Sequence, residues 1–316
     1  MPNELTFHEA KEAFLQYCRI KNLSPATLTH YTRRLNGMIE FFQDRYPDLR
    51  PSGIDLVHLR ERIATMMDAE ADITSINHYV AVAKTFFTFL TEEGYIGSNP
   101  SVRLQKLKDP KVIIKTFSPE EIKAILTQPN KLRFSGTRDY FLMLLLLDTG
   151  LRISEAMNIR LKDIDRAHSS ITVMGKGSKE RVVHYGQSVR RALNQYFERR
   201  GDLETDYLFV TEYGDPMQVR MAQDQITRYG AQAKIQGVRV SPHTFRHTFA
   251  RNWIVNGGDV FSLQKMLGHT TMEMVRRYVN LANEDVGKAH RMCSPADRVL
   301  GNTFKNEQQR DRKRLE

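Results

Sequence analysis

The densest group of residues able to do chemistry is Pro242-His243-Thr244-Phe245-Arg246-His247. Ser241-Pro242 is a helix-start signal. His243 and Arg246 lie three positions apart, so a helix places both side chains on one face of its first turns. Unpaired backbone N–H groups and the helix dipole favour an anion there, and arginine offers a forked donor for phosphate oxygens. The group indicates a phosphate site, although a histidine and an arginine at a helix start are more commonly structural.

The same histidines also have the spacing of zinc ligands. His243 and His247 lie four positions apart, and His269 offers a third ligand. The metalloprotease pattern requires a glutamate directly after the first histidine, whereas this chain has Thr244. The sequence offers no carboxylate cluster that would hold magnesium. We therefore expect no metal and no other cofactor.

A second arginine, Arg152, follows a strongly apolar segment. Phe141 to Leu147 form the longest apolar run of the chain, and Asp148-Thr149-Gly150 interrupts the helical pattern just before Arg152. An arginine next to so apolar a segment is costly unless it is paired. Taken alone, Arg152 is best interpreted as one partner of a buried ion pair with Asp148 or Glu155.

The elements that position these residues begin with a helical N-terminal part. One helix starts at Ser24-Pro25 and carries apolar residues at helical spacing. Arg33 and Arg34 lie largely off that apolar stripe. A later helix runs from about Ile76 to Leu90 and stops at Gly94. We expect an all-helical first domain.

A basic segment, 98–115, follows this domain. It contains two prolines and mostly positive charges: Arg103, Lys106, Lys108, Lys111 and Lys115. Such charge is typical of a linker that lies on phosphate, and equally of an ordinary solvated loop. We interpret the segment as an interdomain linker.

A second domain begins at Ser118-Pro119-Glu120-Glu121, a capping box with proline in the first turn. Two β-rich stretches, 170–174 and 181–184, flank a glycine-rich loop at 175–180, which predicts a hairpin. Helices dominate afterwards. Their predicted limits are Ser241-Pro242 to Gly257-Gly258, Asp259 to Gly268, and a start at Thr270 or Thr271 for the helix that carries Tyr278.

The size and charge of the chain narrow its class. A length of 316 residues favours two domains, and 41% hydrophobic residues are enough for a normal core. The net charge of +10 favours a polyanionic partner, either nucleic acid or an anionic membrane surface.

Membrane insertion and secretion are not expected. The longest apolar run is far too short to span a bilayer, and Met1-Pro2-Asn3-Glu4 is too polar for a signal peptide. Cys18 and Cys293 are the only cysteines, and two distant cysteines form neither a disulfide framework nor a zinc site. We expect a cytoplasmic protein.

Taken together, the motifs resemble those of the tyrosine recombinase or phage integrase family. They are, in order, Thr149 to Glu155, Gly175-Lys176-Gly177, His243-x-x-Arg246-His247, Leu267-Gly268-His269 and Tyr278. Tyr278 lies nine residues after His269, as in the Xer branch. Each motif is short, but their order and spacing are specific. The resemblance is tight from about Thr116 to Asn280 and looser before that.

The resemblance implies a mainly α fold in two domains. Residues 1–97 would form a helical core-binding domain that clamps DNA, and 98–115 a basic linker. Residues 116–300 would form an α+β catalytic domain with a small antiparallel sheet, and 301–316 a charged flexible tail. Sequence alone also allows a helix at 283–293 that docks into a neighbouring protomer, or that packs on its own domain.

The resemblance also implies six catalytic residues: Arg152, Lys176, His243, Arg246, His269 and Tyr278. The two arginines would hold the non-bridging oxygens of a phosphodiester, which makes a metal unnecessary. Tyr278 would attack with His243 as base, Lys176 would protonate the leaving 5′-oxygen, and His269 would bond the phosphate. His247 would mainly support the site. Nearby Lys179 and Arg181 would touch the DNA backbone, as would Arg33, Arg34, Arg103, Lys106 and Lys108.

The activity implied is site-specific recombination of double-stranded DNA, for integration, excision or resolution. It proceeds through a 3′-phosphotyrosine and a Holliday junction, with four protomers on two DNA sites. Two alternatives remain: a type IB topoisomerase-like enzyme that relaxes DNA, and a DNA-binding protein without catalysis. The intact set of six residues and the Xer-like spacing favour the recombinase.

Overall fold

The structure is a computed structural model, and it describes residues 5–108, 114–175, 180–268, 271–282, 290 and 294–297. The chain divides into two compact units, Met1–Val112 and Ile113–Glu316. In the described residues no helix is long and apolar enough to cross a membrane.

The first unit is helical in its described part. Its helices are α1 (Phe7–Ile20), α2 (Pro25–Arg45), α3 (Leu56–Asp68) and α4 (Ile73–Glu92), with a 3₁₀ turn at Pro51–Gly53. Each helix begins at a side chain that accepts a backbone N–H, namely Thr6, Ser24, Asp55 and Asp72. The predicted start at Ser24-Pro25 and the end before Gly94 are confirmed.

The core of this unit lies between α1, α2 and α4. Aromatic rings from α1 and α4 meet at its centre, where Phe14 contacts Phe86 and Phe89 at centroid distances of 5.5 and 5.4 Å. Of the predicted DNA-contacting arginines on α2, Arg33 is exposed and Arg34 is half-buried. Both remain free of the apolar stripe, as the helical spacing predicted.

The first part of the predicted linker packs on this unit. Leu104 is 2% exposed, and the backbone of Leu107 makes two hydrogen bonds to the Asn77 amide, at 3.0 and 2.7 Å. Lys84 donates to the Leu104 carbonyl at 2.9 Å. Arg103, Lys106 and Lys108 are exposed. The segment up to residue 108 is thus an ordered part of the first unit, because its two leucines fill that core.

The second unit contains the remaining helices of the described chain: α5 (Pro119–Leu126), α6 (Phe134–Thr149), α7 (Ile153–Met157), α8 (Gln187–Arg200), α9 (Val219–Gln232), α10 (Pro242–Val255), α11 (Val260–Leu267) and α12 (Met272–Ala282). The apolar run of the sequence is the buried centre of α6. The predicted capping box at Ser118 and the limits of α10 and α11 are confirmed.

A small antiparallel sheet lies beside these helices, with strands β1 (Ile164–Asp165), β2 (Ser170–Met174) and β3 (Glu180–His184) in the order β1-β2-β3. The predicted hairpin is β2–β3, in register at Ile171 and Val183. The two-residue β1 was not predicted, because so short a strand has no period to detect. The mainly α fold with a small antiparallel sheet is confirmed.

Candidate active site

Helix α10 carries the densest group of predicted site residues. The Ser241 hydroxyl accepts the Thr244 N–H at 3.3 Å, and Pro242 follows at the first helical position. On this helix, His243 is exposed, His247 is half-buried and Arg246 is buried, with 4% of it exposed. The cap therefore fixes where the first turn starts, and the helical repeat distributes the three side chains between solvent and interior.

Two backbone carbonyls accept hydrogen bonds from Arg246. Its Nη1 donates to the Gly150 carbonyl at 2.6 Å and its Nη2 to the Leu267 carbonyl at 2.7 Å. These carbonyls lie at the ends of α6 and α11, where helix dipoles favour a cation. Burial, and then the charge of Arg152, lower the pKa of Arg246 to about 10, so the guanidinium stays charged at neutral pH.

Glycines allow both helix ends to approach Arg246. Gly150 and Gly268 end α6 and α11 in the left-handed region, with φ of 63° and 62°. A Cβ at Gly150 would lie 2.4 Å from a ring carbon of Phe249. The predicted helix break at Gly150 is thus also the structural condition for the arginine site.

Arg152 and Arg181 share one buried carboxylate, Glu155. Glu155 Oε1 accepts from Arg152 Nη1 at 2.8 Å and Arg181 Nη1 at 2.9 Å. Its Oε2 accepts from the Arg152 backbone N–H at 2.9 Å and Arg181 Nη2 at 2.7 Å. Burial alone would raise the pKa of Glu155, but these hydrogen bonds outweigh it and lower the pKa. Two positive charges thus meet one negative charge.

The ion pair expected for Arg152 exists, and Glu155 rather than Asp148 is the partner. Asp148 instead accepts the Gly186 N–H at 2.6 Å. The Arg152 side chain is 30% exposed, in contrast to the 5% of Glu155. Arg152 therefore combines an anchored side with a side open to solvent.

Arg181 does not occupy the phosphate-contacting position that the sequence predicted. Its side chain is 11% exposed, and beyond its two bonds to Glu155 its Nε donates to the Met266 carbonyl at 2.8 Å. Strand alternation explains the difference: Arg181 lies on the same face of β3 as the buried Val183. The position of a basic residue after a glycine-rich loop does not by itself show on which face of the strand its side chain lies.

Tyr278 lies on α12 and is 4% exposed. It packs with Phe249, Leu263, Leu267 and Val275 in a small core of its own. Its hydroxyl is 2.8 Å from His247 Nδ1. Burial raises the pKa of Tyr278, while the charges of Arg246, Arg277 and Arg152 oppose that rise.

His247 therefore contacts the predicted nucleophile, a position that the sequence interpretation had given to His243. Burial is the main cause that lowers the pKa of His247 to about 4, followed by His243 and Arg246. The pKa of His243 is also lowered, by burial and then by Arg246 and Arg152. His247 is thus neutral at pH 7. Spacing four apart puts the histidines on one face but does not say which of them reaches the tyrosine.

Several predicted site residues lie outside the described residues: Lys176, Lys179 and His269. The same holds for Cys293 and for most of segment 283–293, in which His290 alone is described. Within the described chain, no group of three or more His, Cys, Asp or Glu side chains is arranged to hold a metal ion.

Two further aromatic residues were considered in the sequence. Trp253 is half-buried at the edge of the core that contains Tyr278, where it packs against Phe249 and donates its indole N–H to the Asp259 carbonyl at 3.0 Å. Tyr229 is 5% exposed, and its hydroxyl donates to Asp139 at 3.0 Å.

Comparison with known proteins identifies the family of the chain. The model of the phage integrase family matches residues 115–285, and the model of the phage integrase N-terminal SAM-like domain matches residues 12–94. Tyrosine recombinase XerC of Oceanobacillus iheyensis is 29% identical over 305 residues, which are 92% of this chain and 97% of the relative. Tyrosine recombinase XerD of Staphylococcus aureus is 29% identical over 293 residues, 90% of this chain and 98% of the relative.

A solved structure shares the fold. The XerH site-specific recombinase bound to a palindromic difH substrate superposes with a TM-score of 0.71 at 18% identity, over 92% of this chain and 85% of that one. The catalytic family model alone covers more than half of the chain. The chain therefore belongs to the phage integrase family and is a tyrosine recombinase, an enzyme that breaks and rejoins DNA strands.

Proposed function

We propose that this recombinase cuts double-stranded DNA with Tyr278 and that Arg152 and Arg246 hold the scissile phosphate. The observation that carries the proposal is a buried tyrosine hydroxyl hydrogen-bonded to a neutral histidine, in a group where arginines outnumber carboxylates. A phosphodiester is the anion that such a surplus of positive charge favours.

The arginines would act on the phosphate charge. Two nitrogens of Arg246 donate to carbonyls, which fix the plane of its guanidinium. Arg152 keeps part of its guanidinium in solvent. Both would bind the non-bridging oxygens and stabilise the charge that builds in the pentavalent transition state. This is the work that a metal ion does in other nucleases.

Tyr278 would lose its proton to His247, or to His243 as the sequence suggested. A phosphate anion that enters the site favours the protonated imidazole and so raises the pKa of both histidines above their values in the free protein. The three arginine charges around Tyr278 favour its phenolate. Because Tyr278 is 4% exposed here, its side chain has to leave the Phe249 and Leu267 contacts before it reaches DNA.

The chemical step would exchange one ester bond for another. The Tyr278 oxygen forms a bond to phosphorus as the bond from phosphorus to the 5′-oxygen breaks, and Lys176 gives that oxygen a proton. The products are a 3′-phosphotyrosine and a 5′-hydroxyl. Attack by the 5′-hydroxyl of another duplex reverses the step, exchanges strands and needs no ATP.

Binding to DNA would involve both units. The exposed Arg33, Arg103, Lys106 and Lys108, with half-buried Arg34, are the proposed phosphate contacts of the first unit. Neighbours of the same fold have been solved on DNA, among them XerH on difH and lambda integrase on a core site. We further propose a tetramer on two DNA sites, with segment 283–293 exchanged between protomers.

The decisive experiment is to trap the covalent adduct. The Tyr278→Phe variant, which keeps the ring, first selects bound DNA from a random pool. Substrates that carry this site and a nick next to it then release a short DNA fragment on cleavage, which prevents religation and traps the covalent protein–DNA adduct. We expect a denaturation-stable adduct with wild type and with Tyr229→Phe, and none with Tyr278→Phe. An adduct that persists in Tyr278→Phe and maps to another tyrosine contradicts the proposal.

A sulfur substitution tests Lys176 in the same assay. A bridging 5′-sulfur leaves as a thiolate and needs no proton, whereas loss of a general acid typically slows cleavage of normal DNA about 10²–10⁴-fold. Lys176→Ala should therefore cleave the sulfur-substituted site nearly as fast as wild type. If sulfur gives no recovery, Lys176 is not the acid.

Plasmid substrates with one or two sites separate relaxation, which a topoisomerase performs, from strand exchange.

A further inference from the structure

We infer that Arg181 is a positioning residue: by holding Glu155, it leaves the charge of Arg152 uncompensated and orients Arg152 towards the scissile phosphate. The inference deepens the proposed function and rests on it, because it assumes that Arg152 binds that phosphate. It replaces the direct contact to the DNA backbone that the sequence suggested for Arg181.

The contacts of Arg181 leave it little capacity for DNA. All three of its guanidinium nitrogens donate within the protein: Nη1 and Nη2 to Glu155 at 2.9 and 2.7 Å, and Nε to the Met266 carbonyl at 2.8 Å. The side chain is 11% exposed, against 30% for Arg152. Of the two arginines on Glu155, only Arg152 presents an open face.

The shared carboxylate explains how Arg181 acts on Arg152. A carboxylate and an arginine left alone favour a bidentate pair, which neutralises the arginine. Here each oxygen of Glu155 accepts one bond from Arg181, so the Arg152 side chain contributes a single bond, from Nη1 at 2.8 Å. The trio has a net charge of +1, whereas Arg152 and Glu155 alone would have none. Arg181 therefore preserves the charge that the phosphate needs.

The third contact of Arg181 joins this trio to the end of α11. Met266 and Leu267 are consecutive, and their carbonyls accept from Arg181 and Arg246 respectively. A Cβ at Gly268 would lie 3.1 Å from Arg181 Nη1, so the arginine also packs against the glycine that ends α11. One side chain on β3 thus fixes α7, which follows Arg152, relative to the helix end that holds Arg246.

Variants at Arg181 separate positioning from DNA contact. Arg181→Met removes the charge and keeps the length, and Arg220→Met is the matched control at an arginine whose side chain is 83% exposed on α9. At saturating DNA, we expect adduct formation by Arg181→Met to fall about 10-fold or more. The DNA dissociation constant and its salt dependence should match the control. A salt slope lowered by about one, with an unchanged rate, would mean a phosphate contact and overturn the inference.

A neutral substrate tests whether the defect passes through Arg152. A methylphosphonate at the scissile position replaces one charged non-bridging oxygen with a methyl group, so less negative charge builds in the transition state and Arg152 matters less there. In the stereoisomer that lacks the oxygen held by Arg152, Arg181→Met should cleave within about threefold of wild type, as Arg152→Ala should. An equal defect on phosphate and on both isomers would indicate a general distortion and overturn the inference.

A double variant tests the charge argument directly. It also distinguishes a loss of charge from poor folding of the single variant, because only a loss of charge is reversed by a second substitution. In Arg181→Met, Glu155 is free to neutralise Arg152, whereas Glu155→Gln combined with Arg181→Met removes the neutralising charge. We expect the double variant to cleave faster than Arg181→Met alone, and a double variant equally slow or slower contradicts the inference. Because every rate is compared with a wild type whose adduct maps to Tyr278, failure of the proposed function would be recognised separately.

Discussion

Two buried groups in the second unit combine arginine with tyrosine, and they differ in charge balance. In the first, Arg138 and Asp139 are each 2% exposed and lie 2.8 Å apart, and Tyr229 donates to the same carboxylate. Arg138 also donates to the Val210 carbonyl at 2.9 Å. The two buried side chains thus carry one positive and one negative charge, which compensate each other.

In the second group the positive charge is in excess. Arg246 is held by two carbonyls, and Arg152 and Arg181 share Glu155. The tyrosines differ accordingly. Burial and Asp139 raise the pKa of Tyr229 to about 12, whereas the arginines around Tyr278 oppose the effect of its burial. In the group around Glu155 the two arginines carry one more positive charge than the carboxylate compensates, whereas the charges of Arg138 and Asp139 cancel.

The largest effect should come from breaking the balanced group. Arg138→Met leaves Asp139 buried without its partner, which typically costs about 3–5 kcal/mol in the free energy of unfolding. The variant with Arg138→Met, Asp139→Leu and Tyr229→Phe leaves no unpaired polar side chain and should recover most of this loss. Denaturant titration of both variants measures the difference. If the triple variant is no more stable than Arg138→Met, the group is not simply a replaceable ion pair.

The next effect concerns the unbalanced group and appears in rate. Arg246→Ala should slow adduct formation about 10²–10³-fold at saturating DNA, because the charged phosphate oxygens of the transition state lose a buried hydrogen-bond donor. Arg246→Lys keeps a positive charge but lacks the paired N–H donors of the guanidinium, so its adduct formation should remain substantially slower than that of wild type. The triple variant of the Arg138 group serves as control and should cleave at the wild-type rate. Cleavage by Arg246→Ala within threefold of wild type would contradict the assignment.

A smaller effect is expected from His247 as pH falls. Its pKa is about 4 in the folded protein and about 6.5 when unfolded. Between these values the unfolded chain binds a proton that the folded chain does not, so stability decreases as pH falls from 6.5 to 4. Relative to His247→Gln, wild type should lose up to roughly 2 kcal/mol across this window, since the half-buried ring is partly screened. The free energy of unfolding of both proteins is measured between pH 6.5 and 4. If it changes equally with pH in the two proteins, the prediction for His247 is wrong.

The smallest expected effect is that of a chelator. If surplus arginine charge replaces a metal, adduct formation should be the same with and without EDTA. Rates measured in both buffers with the same substrate provide the comparison. Loss of cleavage in EDTA that zinc or magnesium restores would instead favour the histidine-cluster interpretation of His243, His247 and His269.

The parts of the molecule predicted well are those encoded locally. Helix starts at Ser24, Ser118 and Ser241 depend on a side chain that bonds a backbone N–H two or three residues later, so sequence reveals them. The β2–β3 hairpin and the glycine ends of α6 and α11 are local in the same sense. The partner of Arg152 was narrowed to two nearby carboxylates, of which Glu155 is correct.

The parts missed depend on contacts between distant segments. Which of His243 and His247 reaches Tyr278 is set by the packing of α12 on α10, and Arg181 points inward because β3 faces Glu155, 26 residues earlier. Leu104 and Leu107 were read as part of a linker because prolines and charges surround them. In each case the direction of the side chain is fixed only by tertiary structure.

The carbonyl partners of Arg246 have a consequence for synthesis of the protein. They come from residues 96 and 21 positions away, Gly150 and Leu267. A chain emerging from the ribosome folds from its N-terminus onward. Until α11 has emerged, Arg246 lacks one of the two carbonyls that orient it, and Tyr278 is not yet made. A chain that ends before α11 therefore contains neither the complete surroundings of Arg246 nor the proposed nucleophile.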